Sequence, residues 1–470
     1  MPVLFSNLAI TGQARDEIRV FSFPADRIGE PKISEIATTL GSGDTRFWSV
    51  RNLNAIPAEP YAPPFEELSM MTAFVSDLAF RGSTDWSSLA KTYWEENLDK
   101  GHVKDSRIRQ LGLAPLGSPV TFARVDSLYT ALRHAIVLDP VNSLYPLVDD
   151  LDKVFDDGSG DASDLSAIFY KILRQWEVDA KAGWIRDRRK GVYETSVPTV
   201  RWFDRIGVQV RIGGVERLYD FDRAIPNRYS TPWFLKGITA MVISNDGCQS
   251  VTTPAARAGE AWIRESHDLR FSDRFAVLDS MATSGRGAPV EEWRNGGYAL
   301  KGKDLESFFE RAVLGKCLEN AGDLRYSPFF EEGLVSIAAK GTSRAAVTTI
   351  EKYVSVRPAN HLLRQLRDEL FAPSRTNDVV FPEPYTMTIE WRIHHPEGYV
   401  VTESPRDTTM RGFAGGRGSI ACKRDGDDVR LTATLDLTSQ VIPPEDYNKL
   451  VQLLMELETA SERAVTFRKK

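Results

Sequence analysis

The stretch "DDGSGDASDLSAIFYKILRQWEVDA", residues 156–180, restricts the possible folds of this chain more than any other. A Gly-Asp turn precedes a run whose apolar residues recur every three or four positions, which is the pattern of an amphipathic helix. We therefore predict a helix that starts near Ala162 and leaves that residue exposed. Its predicted buried face comprises Leu165, Ile168, Phe169, Ile172 and Leu173.

The start of such a helix is a suitable place for a nucleophilic cysteine. The helix dipole and the free N–H groups at this end favour a thiolate over a thiol. A thiol enzyme also needs a histidine base and a third group that orients the imidazole. In this chain the first helical position is Ala162, which carries no nucleophile.

The segment resembles the nucleophile segment of bacterial transglutaminase-like proteins, which reads Gly-Asp-Cys, a few polar residues, a long apolar helix and a short strand entry. Gly160, Asp161 and the closing "EVDA" match this motif, whereas the cysteine position is Ala162. Downstream, "RWFDRIGVQVRIGGVERLYDFD" resembles the family's second catalytic segment, with Phe203 and Asp204 in place.

The same resemblance assigns the histidine position to Arg205 and the acid position to Asp220. Arginine cannot accept a proton at working pH, so two of the three triad positions, Ala162 and Arg205, are chemically disabled. Loss of both groups favours a natural pseudoenzyme over a single inactivating replacement. We predict no catalytic residues here; Arg205 either pairs with Asp220 or stays exposed and binds an acidic group.

The resemblance extends over nearly the whole chain. "TDWSSLAKTYWEE" resembles the first helix of the family's core, and "FWSVRNLNAIPAEPYAPP" resembles the end of the preceding domain in a bacterial, usually exported subfamily. The implied fold class is α+β and multidomain. The predicted domains are the end of a β-rich domain with a proline-rich connector (1–83), a papain-like transglutaminase core (84–252), and a C-terminal β-rich region, an antiparallel β-sandwich with helices (253–470).

Two further helices follow from apolar periodicity alone. "VDSLYTALRHAIVL" predicts a helix with Leu128, Leu132, Ile136 and Val137 on its apolar face. "PPEDYNKLVQLLMELETASERA" places two prolines before an amphipathic helix, a position that proline tolerates. The predicted apolar face of this second helix comprises Tyr447, Leu450, Val451, Leu454 and Leu457.

Composition limits the class of protein. A chain of 470 residues is long enough for two to four domains, and its formal net charge of −6 argues against a dedicated nucleic-acid surface. No apolar run reaches the length of a membrane span. The N-terminus lacks the features of a secretory leader, which predicts a cytoplasmic protein or one whose leader has been removed. The family resemblance implies a periplasmic or extracytoplasmic location instead.

The cysteines give no metal signature. Cys248, Cys317 and Cys422 lie far apart and match no ligand spacing, so we predict buried or idle thiols, with one disulfide as the alternative. We predict no cofactor and no metal. Calcium coordination by the aspartates of the loop before the helix is a weaker alternative. Those aspartates are Asp156, Asp157 and Asp161.

A basic cluster, "WIRDRRKGVYE", lies between the two segments that resemble the catalytic segments. It is either a solvated loop or a patch for acidic polypeptides or glycan carboxylates. Ser163 either supports the helix start or serves as a substitute nucleophile. The expected function is a non-catalytic binding or scaffold module for a protein or a cell-envelope component. The alternatives are a structural subunit, or an active amide hydrolase or acyltransferase with a non-standard nucleophile. The candidate binding residues are Ser163, Arg186, Arg188, Arg189 and Arg205.

Overall fold

The computed structural model of the chain is α+β, and its elements divide into two compact units. The first unit comprises residues 1–58, 63–226 and 234–255, and the second comprises residues 59–62, 227–233 and 256–470. No helix in the described part of the chain is both long and apolar enough to cross a membrane. Main chain and side chains are described for residues 58–64, 85–99, 101–113, 120–139, 143–146, 151–191, 198–221, 231–298, 300–327 and 333–470.

Near the N-terminus the structure describes the main chain of strands β1 (Val3–Gly12), β2 (Ile18–Phe23), β3 (Lys32–Thr38), β4 (Gly41–Leu53) and β5 (Met71–Ser76). β4 lies between β1 and β3 in an antiparallel sheet, and β2 pairs with β5. The predicted boundary between residues 83 and 84 lies outside the described residues, as do residues 54–57 of the proline-rich connector.

Helices follow in the first unit: α1 (Trp86–Tyr93), continued by a π-helical turn, α2 (Asp105–Gln110), α3 (Phe122–Ala135) and α4 (Leu151–Asp157). α1 begins where Asp85 Oδ1 accepts a hydrogen bond from the backbone N–H of Ser88 at 2.9 Å. α3 ends two residues earlier than its apolar pattern predicts. The next residues form strand β6 (Val137–Leu138), which pairs in parallel with β7 (Ser159–Gly160).

Helix α5 (Ala162–Gln175) is the predicted amphipathic helix, and it packs against strands β8 and β9 of an antiparallel sheet. The strand order of this sheet is β10-β9-β8-β11-β12. The five apolar residues predicted for the buried face of α5 are all buried. The strands are β8 (Asp179–Ile185), β9 (Arg205–Ile212), β10 (Val215–Asp220), β11 (Thr239–Ser244) and β12 (Gly247–Thr252).

Strands β9 and β10 form a hairpin joined by Gly213 and Gly214. Both glycines have positive φ, +57° and +81°, which a two-residue turn of this kind requires. After β12 the chain remains in the first unit, because the Thr253 hydroxyl donates to the carbonyl of Leu235 at 2.6 Å. The first unit ends at residue 255, and the domain boundary after residue 252 stays a prediction.

The second unit contains an eight-stranded sheet of order β15-β16-β14-β13-β20-β24-β23-β22. Its neighbouring strands are antiparallel except β13 and β20, which run in parallel with Ala261 opposite Tyr385. The prediction of a purely antiparallel sheet for this region is therefore wrong. A long connection brings the chain back beside β13, and β20 then runs in the same direction as β13. The strands are β13 (Ala261–Phe271), β14 (Val277–Arg286), β15 (Leu318–Ser327), β16 (Leu334–Ser343), β20 (Tyr385–Ile393), β22 (Thr408–Phe413), β23 (Gly416–Asp425) and β24 (Asp428–Leu437).

A four-stranded antiparallel sheet of order β17-β18-β26-β21 and a short β19–β25 pair complete the strands described in this unit. These strands are β17 (Ala346–Ile350), β18 (Tyr353–Arg357), β19 (Val379–Val380), β21 (Tyr399–Glu403), β25 (Val441–Ile442) and β26 (Val465–Lys469). The helices are α6 (Glu291–Gly297), α7 (Gly302–Ala312), α8 (His361–Leu370) and α9 (Pro444–Ser461).

Helix α9 covers strands β22, β23 and β24 of the eight-stranded sheet. The approach is close at Gly412 of β22, because a Cβ atom there would lie 3.0 Å from the side chain of Leu453. Leu453 is buried, whereas the predicted core residue Val451 is only half-buried. Part of this sheet is thus covered by a helix.

Candidate functional site

The start of helix α5 is held by a capping box. Asp161 Oδ1 accepts a hydrogen bond from the backbone N–H of Asp164 at 2.8 Å, and Asp164 Oδ2 accepts from the backbone N–H of Asp161 at 3.0 Å. The first helical residue is Ala162, as predicted. It is only 8% exposed, so its predicted exposure is wrong: its methyl group belongs to the apolar core of the first unit.

Ser163 supports the cap. Its hydroxyl donates to Asp161 Oδ1 at 2.8 Å, and the side chain is buried, with 2% of the residue exposed. The hydroxyl proton is thus directed to a carboxylate that already serves the helix start. Asp161 Oδ2 is buried and has no hydrogen-bond partner among the described residues.

One hydroxyl connects the helix start with strand β9. Ser166 Oγ lies 2.7 Å from the carbonyl oxygen of Ala162 and 3.1 Å from that of Ile206. Ile206 directly follows Arg205, the first residue of β9. The structure therefore brings the turn that begins with Ala162 against the start of the strand that carries Arg205.

The guanidinium of Arg205 contacts three carboxylates. Nε donates to Asp204 Oδ1 at 2.8 Å, Nη1 to Asp220 Oδ2 at 2.9 Å, and Nη2 to Asp187 Oδ2 at 3.3 Å. Arg205 is 5% exposed, so these are buried ion pairs. Of the two alternatives for Arg205, the structure has the pair with Asp220, and it adds two carboxylates that the sequence did not indicate.

Two more cations share these carboxylates. Lys190 Nζ lies 3.1 Å from Asp204 Oδ2, and Arg189 pairs with Asp187 while its guanidinium lies 4.3 Å from the centre of the Phe234 ring. Burial alone would raise the pKa of Asp204, but the adjacent Arg205 and Lys190 outweigh it and hold that pKa below its ordinary value. Asp204 is therefore an ionised partner in this cluster.

Large aromatic side chains adjoin the site. Trp184 of β8 stacks on Phe203, with ring centres 5.8 Å apart, and meets Tyr93 edge-on at 5.2 Å. Trp86 contacts both Trp184 and Phe203. The Trp184 Nε1 atom is buried and has no hydrogen-bond partner within the described ranges. Burial, and then the nearby Tyr145 and Asp161, raise the pKa of Tyr93 well above its ordinary value.

The other candidate binding residues lie at the end of β8 and in the short helical turn after it. Arg186 Nη1 donates to the carbonyl of Trp202 at 2.7 Å, so this side chain braces the local backbone. Arg188, Arg189 and Lys190 form a 3-10 turn. The side chains of Arg189 and Lys190 are 55% and 50% exposed and can meet another molecule. Ser163 and Arg205 are buried and engaged internally.

The acidic segment before α5 is also engaged, and its first two aspartates end helix α4 instead of lying in a loop. Asp156 pairs with Arg107, and Asp161 caps the helix. These contacts give two of the three aspartates considered for calcium a protein partner.

Sequence reasoning missed a second polar cluster, in the second unit. Glu265 and His267 lie on the buried face of β13, and His267 Nδ1 is 2.7 Å from Asp279 Oδ2 while Nε2 is 2.9 Å from Glu265 Oε1. Burial would lower the pKa of His267, but these two hydrogen bonds raise it to about 10. Cys317 and His361 lie beside Glu265, and Cys317 is a free, buried thiol. The available signal was "AWIRESHDLRF", whose alternation places an acid and a histidine on the apolar face.

Comparisons with known proteins agree with a multidomain, β-rich chain. Residues 352–467 match a family described as a domain of unknown function with a solved structure (DUF3858). None of the curated proteins matches the chain. A crystal structure of a "putative protease" from Parabacteroides distasonis matches with a TM-score of 0.60 and 12% sequence identity, covering 99% of this chain and 73% of that one. At this identity the similarity is one of fold.

Proposed function

We propose that residues 84–252 form a papain-like, transglutaminase-like core whose catalytic site is degenerate. We further propose that the chain acts as a non-catalytic binding or scaffold module for a protein or a cell-envelope component. One observation carries this proposal. The capped helix start bears only the methyl group of Ala162, and the adjoining strand bears an arginine that is held in buried ion pairs.

The helix start supports the first half of the argument. A nucleophile at this place would benefit from the positive end of α5, but Ala162 offers only a methyl group. The neighbouring hydroxyl of Ser163 donates to Asp161, and a serine nucleophile needs a base that can take its proton and pass it on. An aspartate whose side chain already caps the helix is poorly suited to that role.

The strand supports the second half. Arg205 stands where the resemblance expects a histidine base, and a guanidinium has no proton-accepting atom at working pH. Its three carboxylate contacts give it a structural role instead. Arg205 and Asp220 therefore replace a catalytic couple with a buried ion pair.

Exposed cations beside this cluster are the proposed contact with a partner. Arg189 and Lys190 are anchored by Asp187 and Asp204 and expose about half of each side chain. A charged rim of this kind favours encounter with acidic groups, such as those of an acidic polypeptide or of glycan carboxylates. The location that the resemblance implies, outside the cytoplasm, would supply partners of both kinds.

Co-sedimentation with isolated cell-wall sacculi, and calorimetry with acidic polypeptides, test the proposal. We expect wild-type protein to bind one of these two classes of polymer and Lys190→Ala to bind it several-fold more weakly. Lys449→Ala, which removes a similarly exposed lysine from α9 in the second unit, is the matched control and should bind as wild type does. Equal binding by wild type and Lys190→Ala, or no binding to either class, would refute the proposed role of this surface.

A further inference from the structure

Three separate segments of the second unit bring a carboxylate, a thiol and an imidazole together. Glu265 lies in the middle of β13, Cys317 follows the 3-10 turn after α7, and His361 is the first residue of α8. Hydrogen bonds to the main chain hold the segments of Cys317 and His361. Arg344 donates its backbone N–H to the Cys317 carbonyl at 3.1 Å, and Asn360 Oδ1 caps α8 by accepting from the N–H of Leu363 at 3.1 Å.

The distances between the three side chains fit one coordination sphere. Cys317 Sγ lies 3.2 Å from His361 Nδ1, and that nitrogen lies 3.4 Å from Glu265 Oε1. One oxygen, one sulfur and one nitrogen from these residues all lie within 4.8 Å of one another. Ligands at the usual zinc distances, about 2.3 Å for sulfur and 2.0–2.1 Å for nitrogen or oxygen, are about 3.4–3.6 Å apart in a tetrahedron.

Strands β13 and β14 also carry buried oxygen atoms that no hydrogen bond satisfies within the described part of the chain. Glu265 Oε2, Asp279 Oδ1 and Thr283 Oγ1 are buried without a hydrogen-bond partner among the described residues. Thr283 lies directly opposite Glu265 in the pairing of β13 with β14. An unpartnered carboxylate oxygen in a protein interior is costly unless a cation compensates it.

We propose that Glu265, Cys317 and His361 bind a divalent transition-metal ion of the Zn²⁺ type in a tetrahedral site. Thiolate and imidazole ligands select such an ion over Mg²⁺ or Ca²⁺, which prefer oxygen. These residues supply three ligands, and a water molecule would complete the tetrahedron. Cys317 loses its proton on binding and becomes a thiolate, as a metal-bound thiol does.

The neighbouring ion pair supports the ligand that it touches. His267 bonds Glu265 Oε1 and Asp279 Oδ2, and its ring stacks on Trp391 at 6.1 Å with an 11° angle between the planes. Hydrogen bonds of this kind orient a metal-binding carboxylate and tune its affinity. His267 and Asp279 are thus positioning residues for Glu265. This site belongs to the second unit, so the inference is independent of the function proposed for the site around Ala162 and Arg205.

Cobalt substitution of the 470-residue chain is the direct test. Chelator-treated wild type titrated with Co²⁺ should show the intense visible bands of a tetrahedral site and a thiolate-to-cobalt charge-transfer band at one equivalent. Zn²⁺ should bleach both. Cys317→Ser should lose the charge-transfer band, whereas Cys422→Ser, the matched control on β23, should keep it. Asp279→Asn should lower zinc affinity about tenfold.

The wild-type spectrum alone can overturn the inference, because it does not depend on any variant folding. Absence of the charge-transfer band in wild type would exclude a thiolate ligand. A band that persists in a folded Cys317→Ser protein, judged by circular dichroism, would place the metal elsewhere. If Cys317→Ser does not fold, loss of the band in Cys422→Ser would equally contradict the assignment.

Discussion

Arg205 is a buried cation whose three guanidinium nitrogens each face a different aspartate. Such a group is costly to bury alone, and its carboxylates are costly to bury without it. The loss of one residue of the cluster therefore lowers the stability of the chain by an amount that depends on how many partners that residue had. The centre of the cluster, Arg205, contacts all three carboxylates, and Asp220 supplies one of these three contacts.

This inequality predicts the order of two substitutions. Arg205→Ala should lower the free energy of unfolding by about 3–5 kcal/mol, because it leaves buried carboxylates without their shared partner. Asp220→Ala should cost less, about 1–3 kcal/mol, because Arg205 keeps Asp187 and Asp204. Urea unfolding at neutral pH measures both.

Arg211→Ala is the control, since Arg211 lies on the same strand, β9, but forms an exposed pair with Glu216. Exposed pairs contribute little to stability, so this variant should unfold as wild type does. An Arg205→Ala protein as stable as the control would contradict the buried cluster.

The role of a single residue was predictable where a motif in the adjacent sequence indicated it. The Arg205–Asp220 pair followed from a resemblance that assigned both positions, and the structure has it. Asp187 and Asp204 were not expected as its partners, because no spacing rule indicates which aspartates will surround a buried arginine. Ser163 was expected to support the helix start, and it does so by donating to Asp161.

At the scale of elements, helix α5 depends on its cap. Asp161 accepts from Asp164 and from Ser163, so one side chain orders the whole first turn. That turn packs beside β9 through Ser166. Weakening the cap should therefore loosen both the helix start and its contact with the strand.

Asp161→Ala should destabilise the chain by about 1–2 kcal/mol, because the cap acceptor is lost. Asp161→Asn should retain much of the stability, since its amide oxygen can still accept. Asp105→Ala, which removes an exposed acid from the first turn of α2 without removing a cap, is the control. Thermal melts compare the three variants; an Asp161→Ala melt that coincides with that of Asp105→Ala would show that the cap contributes nothing.

The helices and strands that were predicted well are those whose position follows from the sequence of the element itself. The start of α5 and its buried face followed from a turn and a period of 3.6 residues, and both are confirmed apart from the burial of Ala162. Helix α3 ends earlier than predicted, and Val137 is 70% exposed. The reason is that Val137 pairs with Ser159, a contact between distant segments that local periodicity does not contain.

For the whole molecule, composition and resemblance gave an α+β, multidomain chain, and the structure has one. The parallel pairing of β13 with β20 was missed because strand direction depends on how a long connection returns. The Glu265–Cys317–His361 cluster was missed because its residues are far apart in the sequence. Only folding brings these three residues together, so the spacing of the cysteines does not predict the cluster.

The proposal for the first unit is that the site around Ala162 and Arg205 keeps the arrangement of a thiol enzyme without its chemistry. Three proteins test it in one amine-incorporation and peptide-hydrolysis screen: wild type, Ala162→Cys, and the double variant Ala162→Cys/Arg205→His. Circular dichroism establishes that each is folded. We predict no turnover by wild type or by the single variant, and turnover by the double variant, which restores both nucleophile and base. Turnover by wild type that Ser163→Ala abolishes would contradict the claim and identify an active hydrolase.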